Sequence, residues 1–261
     1  MATTNGALPA ATVEALYRYP VKGLSPQVLA GVTLRAGETI PFDRMYAIEN
    51  GPCPFDPGSP THLPKNHFCM LMRHEQLAAL QTEFDTASHA LAIWQSGSLA
   101  ARGHLREPSG RATIEGFIAH YMAEKLRGAP RIVSSGGHNF TDIAQKCLHI
   151  VNRRSVLALE TLLSAPINAL RFRPNMILDG LPAWSELDMI GQTLTASDAK
   201  LEIFKRTGRC AATNVDPETG ARDMKLPPFL SRMLGHASFG VYARVVAGGD
   251  IAVGDRVSVS G

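Results

Sequence analysis

The sequence contains few cysteines, and none of them forms a closely spaced pair. Its 261 residues include four, at positions 53, 69, 147 and 210, whereas structural zinc sites and ferredoxins use tight CxxC pairs. The start of the chain has neither a basic region nor an apolar core, which argues against a secretory signal and a disulfide framework. We therefore predict a cytoplasmic protein with a short disordered leader over residues 1–12.

Long apolar runs and a strong net charge are absent as well. Although 45% of the residues are hydrophobic, no apolar stretch is long enough to cross a bilayer, so no membrane partner is expected. The 26 basic and 23 acidic side chains give a net charge of +3. This charge is too small for a nucleic-acid partner but sufficient for one local basic pocket. Nineteen of the basic residues are arginines, which bind phosphate or carboxylate in a bidentate manner.

Several common catalytic motifs are also missing. The sequence has no GxGxxG, GxxxxGK[S/T], GxSxG or HExxH motif. Interpretations as a dinucleotide-binding protein, a P-loop protein, a serine hydrolase of the α/β type or a zinc protease therefore have no support from the sequence.

Hydrophobic patterning predicts a mainly β chain. Short alternating or β-branched runs, broken by Gly and Pro, occupy residues 13–49 and return after residue 175. Apolar residues have helical spacing over 114–126 and over 153–163. Because the pattern is not a βαβ alternation, we predict an α+β fold of β-barrel architecture with two substantial helices.

The chain is predicted to contain two domains. Residues 95–111 have the composition of a linker, which places a soft boundary near Gly110. Residues 13–110 would form a smaller N-terminal β-barrel-like domain, and residues 111–261 a larger domain.

Residues 50–66 form a segment rich in Pro and Gly, with prolines at positions 52, 54, 57 and 60. Proline has no amide donor, so this segment is unsuited to a central strand. We predict a surface loop or lid that governs substrate access.

The strongest candidate for chemistry is Cys210. Lys205, Arg206 and Arg209 precede it closely in sequence, and neighbouring cations favour a thiolate, which is a nucleophile and a soft-metal ligand. The alternative is a small buried core cysteine. Cys69 and Cys147 lie among apolar residues, and for them the core interpretation is preferred.

Two further clusters are weaker candidates. Cys53, His62, His67 and Cys69 could in principle bind zinc, but their irregular spacing is unlike that of structural zinc sites. The glycine-rich segment 134–142 could form a nest of backbone amides for an anion or could be a plain turn.

Basic residues elsewhere in the chain complete the pattern. Lys22 follows a strand-like run, Arg44 comes directly after Asp43 at a predicted strand start, and Arg171 and Arg173 flank Phe172 ahead of Asn175. In an extended segment, Arg171 and Arg173 would lie on the same side. Each cation alone is consistent with a solvated surface charge. Together with a thiol among cations, they indicate an anionic, phosphate-bearing ligand that also meets sulfur.

The order of these motifs resembles that of MOSC-domain proteins that carry an N-terminal β-barrel domain. The motifs are PVKG at 20–23, DR at 43–44, RFRPN at 171–175, the run from Trp184 to Gly191, the RC-containing run over 209–220 and the closing IAVGDRV at 251–257. This family includes the amidoxime-reducing components, bacterial reductases, and the C-terminal part of molybdenum cofactor sulfurases.

The resemblance implies a molybdenum–molybdopterin cofactor. By position, Cys210 would be the catalytic residue and the metal ligand. The basic residues of the matched motifs and their neighbours would bind the cofactor, namely Lys22, Arg44, Arg171, Arg173, Asn175 and Arg209. The enzyme interpretation is a reductase of N-oxygenated or S-oxidised small molecules.

Two alternatives remain open. One is a module that carries or inserts the cofactor without turnover, and the other is a sulfur carrier that holds a persulfide on Cys210. The expected partners are a small-molecule substrate and either a separate electron-donor protein or a cofactor-sulfurating enzyme.

Overall fold

The computed structural model describes residues 10–261. Most of the predicted leader, residues 1–9, lies outside this range, whereas Ala11 and Thr12 already belong to the first strand. The described residues form fifteen strands and three α-helices. The strands are β1 Ala11–Arg18, β2 Gln27–Leu29, β3 Gly31–Leu34, β4 Ala47–Glu49, β5 Leu80–Phe84, β6 Ala90–Gln95, β7 Ser98–His104, β8 Arg131–Val133, β9 Leu148–Asn152, β10 Met176–Asp179, β11 Thr193–Ala196, β12 Ala199–Gly208, β13 Ser238–Ala247, β14 Gly249–Ala252 and β15 Arg256–Ser260. The helices are α1 Pro108–Met122, α2 Arg153–Leu163 and α3 Leu226–Leu234.

Seven strands form a closed barrel. Their order is β10, β9, β13, β12, β11, β15 and β1, and pairing of β1 with β10 closes the ring. All neighbours are antiparallel except β9 and β10, which are parallel. The prediction of an α+β fold built on a β-barrel is confirmed.

Strand β1 shows why these residues form a barrel wall. Buried Ala11 and Val13 face the core and Thr12 and Glu14 are exposed, as expected for side chains that alternate across a strand. An irregularity in the pairing with β10 between Val13 and Ala15 then shifts the alternation, so that Leu16 also faces the core. The interior of the barrel is a single apolar cluster to which every barrel strand contributes. One wall of the barrel therefore comes from the N-terminal part of the chain.

The N-terminal region builds a second core. Strands β5, β6 and β7 form an antiparallel three-stranded sheet, and α1 packs beside it in the same apolar cluster. The predicted linker over residues 95–111 is wrong, because it contains β7 and the start of α1. Gly103 and Gly110 permit this packing, since a Cβ on Gly103 would overlap the carbonyl oxygen of Gly110. The predicted domain boundary near Gly110 stays a prediction. Most of α1 follows Gly110 in the sequence, but the helix packs into the core of the N-terminal region.

Helices α2 and α3 cover part of the barrel exterior. Asn152 caps α2 by accepting a hydrogen bond from the backbone N–H of Arg154, and Val156 and Leu159 form its buried face. Helix α3 begins with prolines in its first turn and ends at Gly235, whose φ of 74° is accessible to glycine. The prediction of two substantial helices therefore missed α3.

The segment 50–66 lies at the surface, as its prolines suggest. Residues 56–62 are exposed, whereas Phe55 is buried against Phe68 and Phe140. The loop is thus anchored at Phe55 and continues to Lys65, which begins a short 3₁₀ segment, Lys65–His67.

Candidate functional site

A cavity of about 360 Å³ lies between the barrel and the N-terminal region. Its walls come from segments far apart in the sequence, including the chain before β4, the turn before β9 and the end of β12. All seven of the predicted site residues line it. They are Lys22, Arg44, Arg171, Arg173, Asn175, Arg209 and Cys210.

Arg44 belongs to a turn before β4 and not to a strand start, and its φ of 48° is left-handed. Its Nη1 donates to Asp43 Oδ2 at 2.5 Å. Asp43 is fully buried and also accepts a hydrogen bond from the backbone N–H of Tyr19. Burial acts to lower the pKa of Arg44, but Asp43 raises it above its ordinary value. The Arg44 guanidinium is therefore a fixed positive charge.

Asn175 supports this turn from the barrel. Its Oδ1 accepts hydrogen bonds from Arg44 Nη1 and from the backbone N–H of His149. Its Nδ2 donates to Asp43 Oδ1 and to the carbonyl of Tyr17. Because both ends of the amide are used within the protein, Asn175 serves to position Arg44.

Arg173 ends a short 3₁₀ segment, Ala169–Phe172, with a φ of 52°. The predicted extended segment through Arg171 and Arg173 is therefore wrong. The Arg173 guanidinium lies over the Tyr19 ring, and its Nη2 is buried without a hydrogen-bond partner among residues 10–261. Burial lowers the pKa of Arg173 to about 10, so the group remains charged at neutral pH.

Arg209 and His149 connect this wall to the end of β12. Arg209 Nη2 donates to the carbonyl of Phe172 at 2.7 Å, and Nη1 donates to His149 Nε2 at 3.2 Å. Burial, followed by the charge of Arg209, holds the pKa of His149 well below its ordinary value. Because Nε2 accepts, the ring proton of neutral His149 lies on Nδ1, 3.4 Å from the carbonyl oxygen of Arg173.

Lys22 and Asp142 form an ion pair in the same cavity. Lys22 Nζ donates to Asp142 Oδ1 at 2.5 Å and to the carbonyl of Phe140 at 2.9 Å. Burial lowers the pKa of Lys22, although Asp142 opposes this effect. Partial burial acts to raise the pKa of Asp142, but Lys22 holds it well below its usual range. Asp142 is therefore a carboxylate, not a proton donor, at neutral pH.

Cys210 lies in the cavity near the Lys22–Asp142 ion pair, because Lys65 Nζ approaches both the Cys210 sulfur and Asp142 Oδ2. It is half-buried and precedes a short 3₁₀ segment, Ala211–Asn214. Lys65 Nζ lies 3.4 Å from the Cys210 sulfur. The cation nearest to the thiol thus comes from the segment that follows the Pro-rich loop.

The three cations predicted to flank Cys210 separate in the structure. Lys205 and Arg209 line the cavity. Arg206 instead points to the barrel surface, where it donates to Asp188 and to the carbonyl of Leu187. Arg206 is therefore close to Cys210 in sequence but does not line the cavity.

Arg171 lines the cavity, but its charge is already neutralised. Its two terminal nitrogens donate to both oxygens of Asp223, at 2.8 and 2.6 Å, and to Asp216 at 3.0 Å. Cofactor binding by Arg171 stays a prediction, because Arg171 lines the cavity while its terminal nitrogens are already paired with two aspartates. Its ion pairs fix the turn after Cys210.

The other cysteines do not form a metal site. Within residues 10–261 no group of three or more His, Cys, Asp or Glu side chains could hold a metal ion, which disfavours the zinc alternative. Cys69 and Cys147 are buried, and burial raises the pKa of each thiol to about 12. Cys147 nevertheless forms part of the cavity wall.

The glycine-rich segment 134–142 contributes only its last residues to the cavity, Thr141 and Asp142. His138 packs against the rings of Phe55 and Phe140. The segment therefore connects the site to the anchored loop.

Three cavity residues were missed by the sequence analysis. Lys65 lies in a segment interpreted only as a loop, His149 in a strand with no neighbouring motif, and Tyr242 in the hydrophobic strand β13. The only signal for His149 and Tyr242 was a polar or aromatic residue within an apolar strand, which occurs throughout β proteins, and Lys65 had no signal in its local sequence.

The profile of the MOSC domain matches residues 125–258, about half of the chain. The chain belongs to the MOSC-domain family. The matched region contains Arg173, Asn175 and Cys210, whereas Lys22 and Arg44 reach the same cavity from outside it.

The chain is also similar to two curated mitochondrial proteins. It is 29% identical over 122 residues to amidoxime reducing component 2 of Rattus norvegicus, covering 42% of this chain and 36% of that protein. It is 27% identical over 154 residues to amidoxime-reducing component 1 of Homo sapiens, covering 54% of this chain and 43% of that protein. The matches thus span less than half the length of either relative.

Among solved structures, the YuaD protein of Bacillus subtilis is similar, with a TM-score of 0.45 and 14% identity, over 96% of this chain and 95% of that one. Within the described part of the chain, no helix has the length and apolar character needed to span a membrane.

Proposed function

We propose that this cavity binds a molybdenum–molybdopterin cofactor. The charge of its lining supports an anionic ligand, because seven lysine and arginine side chains line the cavity with a single lining carboxylate, Asp142, and within the described part of the chain only Arg44 and Arg171 are paired with aspartates outside the lining. Concentrated positive charge in a partly enclosed site attracts anions such as phosphate.

The observation that carries the proposal is a set of unsatisfied guanidinium nitrogens. Arg173 Nη2 and Arg209 Nε are buried and have no acceptor among residues 10–261. A buried donor without a partner costs about 1–3 kcal/mol, and phosphate oxygens supply the acceptors that both groups lack. The residues present therefore fit a phosphate-bearing group.

Cys210 would supply the metal ligand. A thiolate is the softest ligand that a protein offers, and it suits a soft metal centre. Cys147, the other cavity cysteine, is buried, and its pKa is raised to about 12. Cys210 is the more accessible of the two and is the better candidate.

The activity that we propose is reduction of an N-oxygenated or S-oxidised small molecule. The bound cofactor would supply two-electron redox chemistry. For an N-hydroxylated substrate, the N–O bond breaks, two electrons and two protons are taken up, and water leaves. The electrons would come from a separate donor protein. Lys22, Arg44 and Arg173 would hold the phosphate, and neutral His149 would keep Arg173 and Arg209 oriented.

The similarity to two amidoxime-reducing components supports this activity. The alternatives are a cofactor carrier without turnover and a sulfur carrier with a persulfide on Cys210. The accessible position of Cys210 fits all three, so metal content and turnover have to separate them.

The test measures molybdenum and pterin per folded chain after expression in a host that makes the cofactor. We expect near-stoichiometric molybdenum in the wild type and a large loss in Cys210→Ser and Arg173→Ala. Cys53→Ser and Arg206→Ala are matched controls, because Cys53 lies in the Pro-rich loop and Arg206 pairs outside the cavity. Unchanged molybdenum in Cys210→Ser would contradict the ligand assignment.

Turnover separates the remaining alternatives. With a chemical electron donor, the loaded protein should convert benzamidoxime to benzamidine. Bound molybdenum without turnover would favour the carrier. A persulfide on Cys210 in protein without molybdenum would favour the sulfur carrier.

A further inference from the structure

Two lysines of the cavity lining, Lys65 and Lys205, have no carboxylate within hydrogen-bond distance among the described residues, and the one aspartate near Lys65, Asp142, is already paired with Lys22. Lys65 Nζ lies 3.4 Å from the Cys210 sulfur and 3.9 Å from Asp142 Oδ2, which is beyond hydrogen-bond distance. Lys205 also lines the cavity, and within residues 10–261 it forms neither an ion pair nor a side-chain hydrogen bond. Both ammonium groups are available to a ligand.

These lysines differ from the buried cations of the inner wall. The Lys65 side chain is 32% exposed and Lys205 is exposed, whereas the side chains of Lys22 and Arg44 are 9% and 15% exposed. The cavity therefore has a buried basic wall and a second pair of cations at its solvent-accessible end. A cofactor phosphate held by the buried wall would leave the outer pair without an anion.

The two outer lysines are positioned by different parts of the fold. Lys65 begins the 3₁₀ segment that follows the surface loop, and Lys205 lies on β12, five residues before Cys210. They approach the cavity from the N-terminal region and from the barrel, and a group bound by Lys65 lies beside the Cys210 sulfur.

We propose that the substrate carries a carboxylate or another anionic oxygen group, which Lys65 and Lys205 bind while its reducible group faces Cys210. This inference rests on the proposed reductase function and specifies its substrate class. Lysine ammonium groups are mobile point charges with several donors, which suits an anion that changes with each turnover. They would also steer anionic substrates toward the cavity.

The first experiment compares two substrates of nearly the same shape, 4-carboxybenzamidoxime and the neutral 4-carbamoylbenzamidoxime. We expect the wild type to have the higher kcat/KM for the carboxylate. The ratio of the two kcat/KM values should fall about fivefold in Lys65→Ala and in Lys205→Ala, as expected for loss of one partly exposed charge contact. Lys65→Arg should retain most of the ratio.

Lys200→Ala is the matched control for Lys205→Ala, because Lys200 is an exposed lysine on the same strand outside the cavity. It should leave the ratio unchanged. If both lysine variants lose the same factor with both compounds, the lysines act on the cofactor or the fold, and the inference is overturned while the reductase function stands.

The second experiment measures equilibrium binding of the same two compounds to cofactor-loaded protein by calorimetry, without an electron donor. Tighter binding of the carboxylate, which weakens in Lys65→Ala and with added salt, supports the inference even if no turnover occurs. In that case the reductase function fails and the anion site stands. Equal affinity for both compounds in the wild type overturns the anion site.

Discussion

The guanidinium carbon of Arg173 lies 4.1 Å from the centre of the Tyr19 ring. Tyr19 is fully buried, its hydroxyl has no partner among residues 10–261, and burial raises its pKa above the ordinary value. The ring therefore acts on Arg173 through its aromatic face. A cation over an aromatic face contributes about 0.5–2 kcal/mol without using the donors of the guanidinium. The donors of Arg173 thus stay available for a ligand.

This arrangement predicts different effects for two substitutions of Tyr19. Tyr19→Phe keeps the aromatic face and removes an unpartnered buried hydroxyl, so molybdenum occupancy should be unchanged. Tyr19→Leu removes the face and should lower both occupancy and the free energy of unfolding, the latter by about 2 kcal/mol. Metal analysis and denaturant unfolding measure both quantities. Equal occupancy in the two variants would mean that the ring does not hold Arg173 in its binding position.

Substitution of Arg171 tests whether a cavity arginine that is already paired with two aspartates is needed for metal binding. Arg171→Met leaves Asp216 and Asp223 without their buried partner, and because both aspartates are partly exposed we expect a loss of about 2 kcal/mol in stability. Molybdenum per folded chain should match the wild type. A loss of metal as large as that in Arg173→Ala would show that Arg171 contacts the ligand.

Glu75 predicts a pH dependence of stability. Burial acts to raise the pKa of Glu75, but its own backbone N–H and hydrogen bonds from Lys125 and Arg222 lower it from 4.5 to about 2. Because the folded pKa is lower than the unfolded one, the stabilisation is complete above about pH 4.5 and is lost as the pH falls toward 2.

The variant Glu75→Gln should therefore lose about 1 kcal/mol at pH 7, since the ion pairs are partly exposed to solvent. Its difference from the wild type should disappear between pH 4.5 and 2. Glu124→Gln is the control, because Glu124 forms no ion pair within the described residues. A difference that persists at pH 2 would contradict an electrostatic origin.

Changing the surface loop should alter the KM for substrates and leave the bound molybdenum unchanged. Replacing residues 56–61 with Gly and Ser keeps the Phe55 anchor and changes only exposed positions. KM should change by about threefold or more because the loop leads into Lys65, whereas bound molybdenum should stay the same. Loss of metal in this variant would place the loop in the cofactor site.

Local patterns in the sequence predicted much of the fold. Helix α2 followed from the helical spacing of apolar residues over 153–163, and the strands after residue 175 followed from the short β-branched runs there. Helix α3 was missed because two prolines in its first turn resemble a break, although proline is well tolerated there. Strand β7 was missed because the Gly103–Gly110 contact that packs it against α1 depends on tertiary structure.

Site residues could be predicted where they belong to a local sequence motif, but not where they meet residues far away in the sequence. Cys210 and Arg173 stood out by their neighbours in sequence. Lys65 approaches Cys210 from 145 residues away, and no spacing rule predicts such a pair. The ion pairs of Arg171 with Asp216 and Asp223 were likewise not predictable, because these partners lie 45 and 52 residues further along the chain.

The position of β1 in the barrel also determines when the barrel can close during synthesis. Strand β1 is made first among the described strands, yet Ala11 pairs with Val257 and Leu16 with Met176. The ribosome must therefore release nearly the whole chain before the ring can close, and until then β1 and β11, the two neighbours of β15, have open edges that can pair with other chains. Such long-range pairing is typical of slow folding. A fragment limited to residues 125–258 would lack β1 together with the rest of the N-terminal region and would end inside β15, so its barrel could not close and aggregation of that fragment is the expected result.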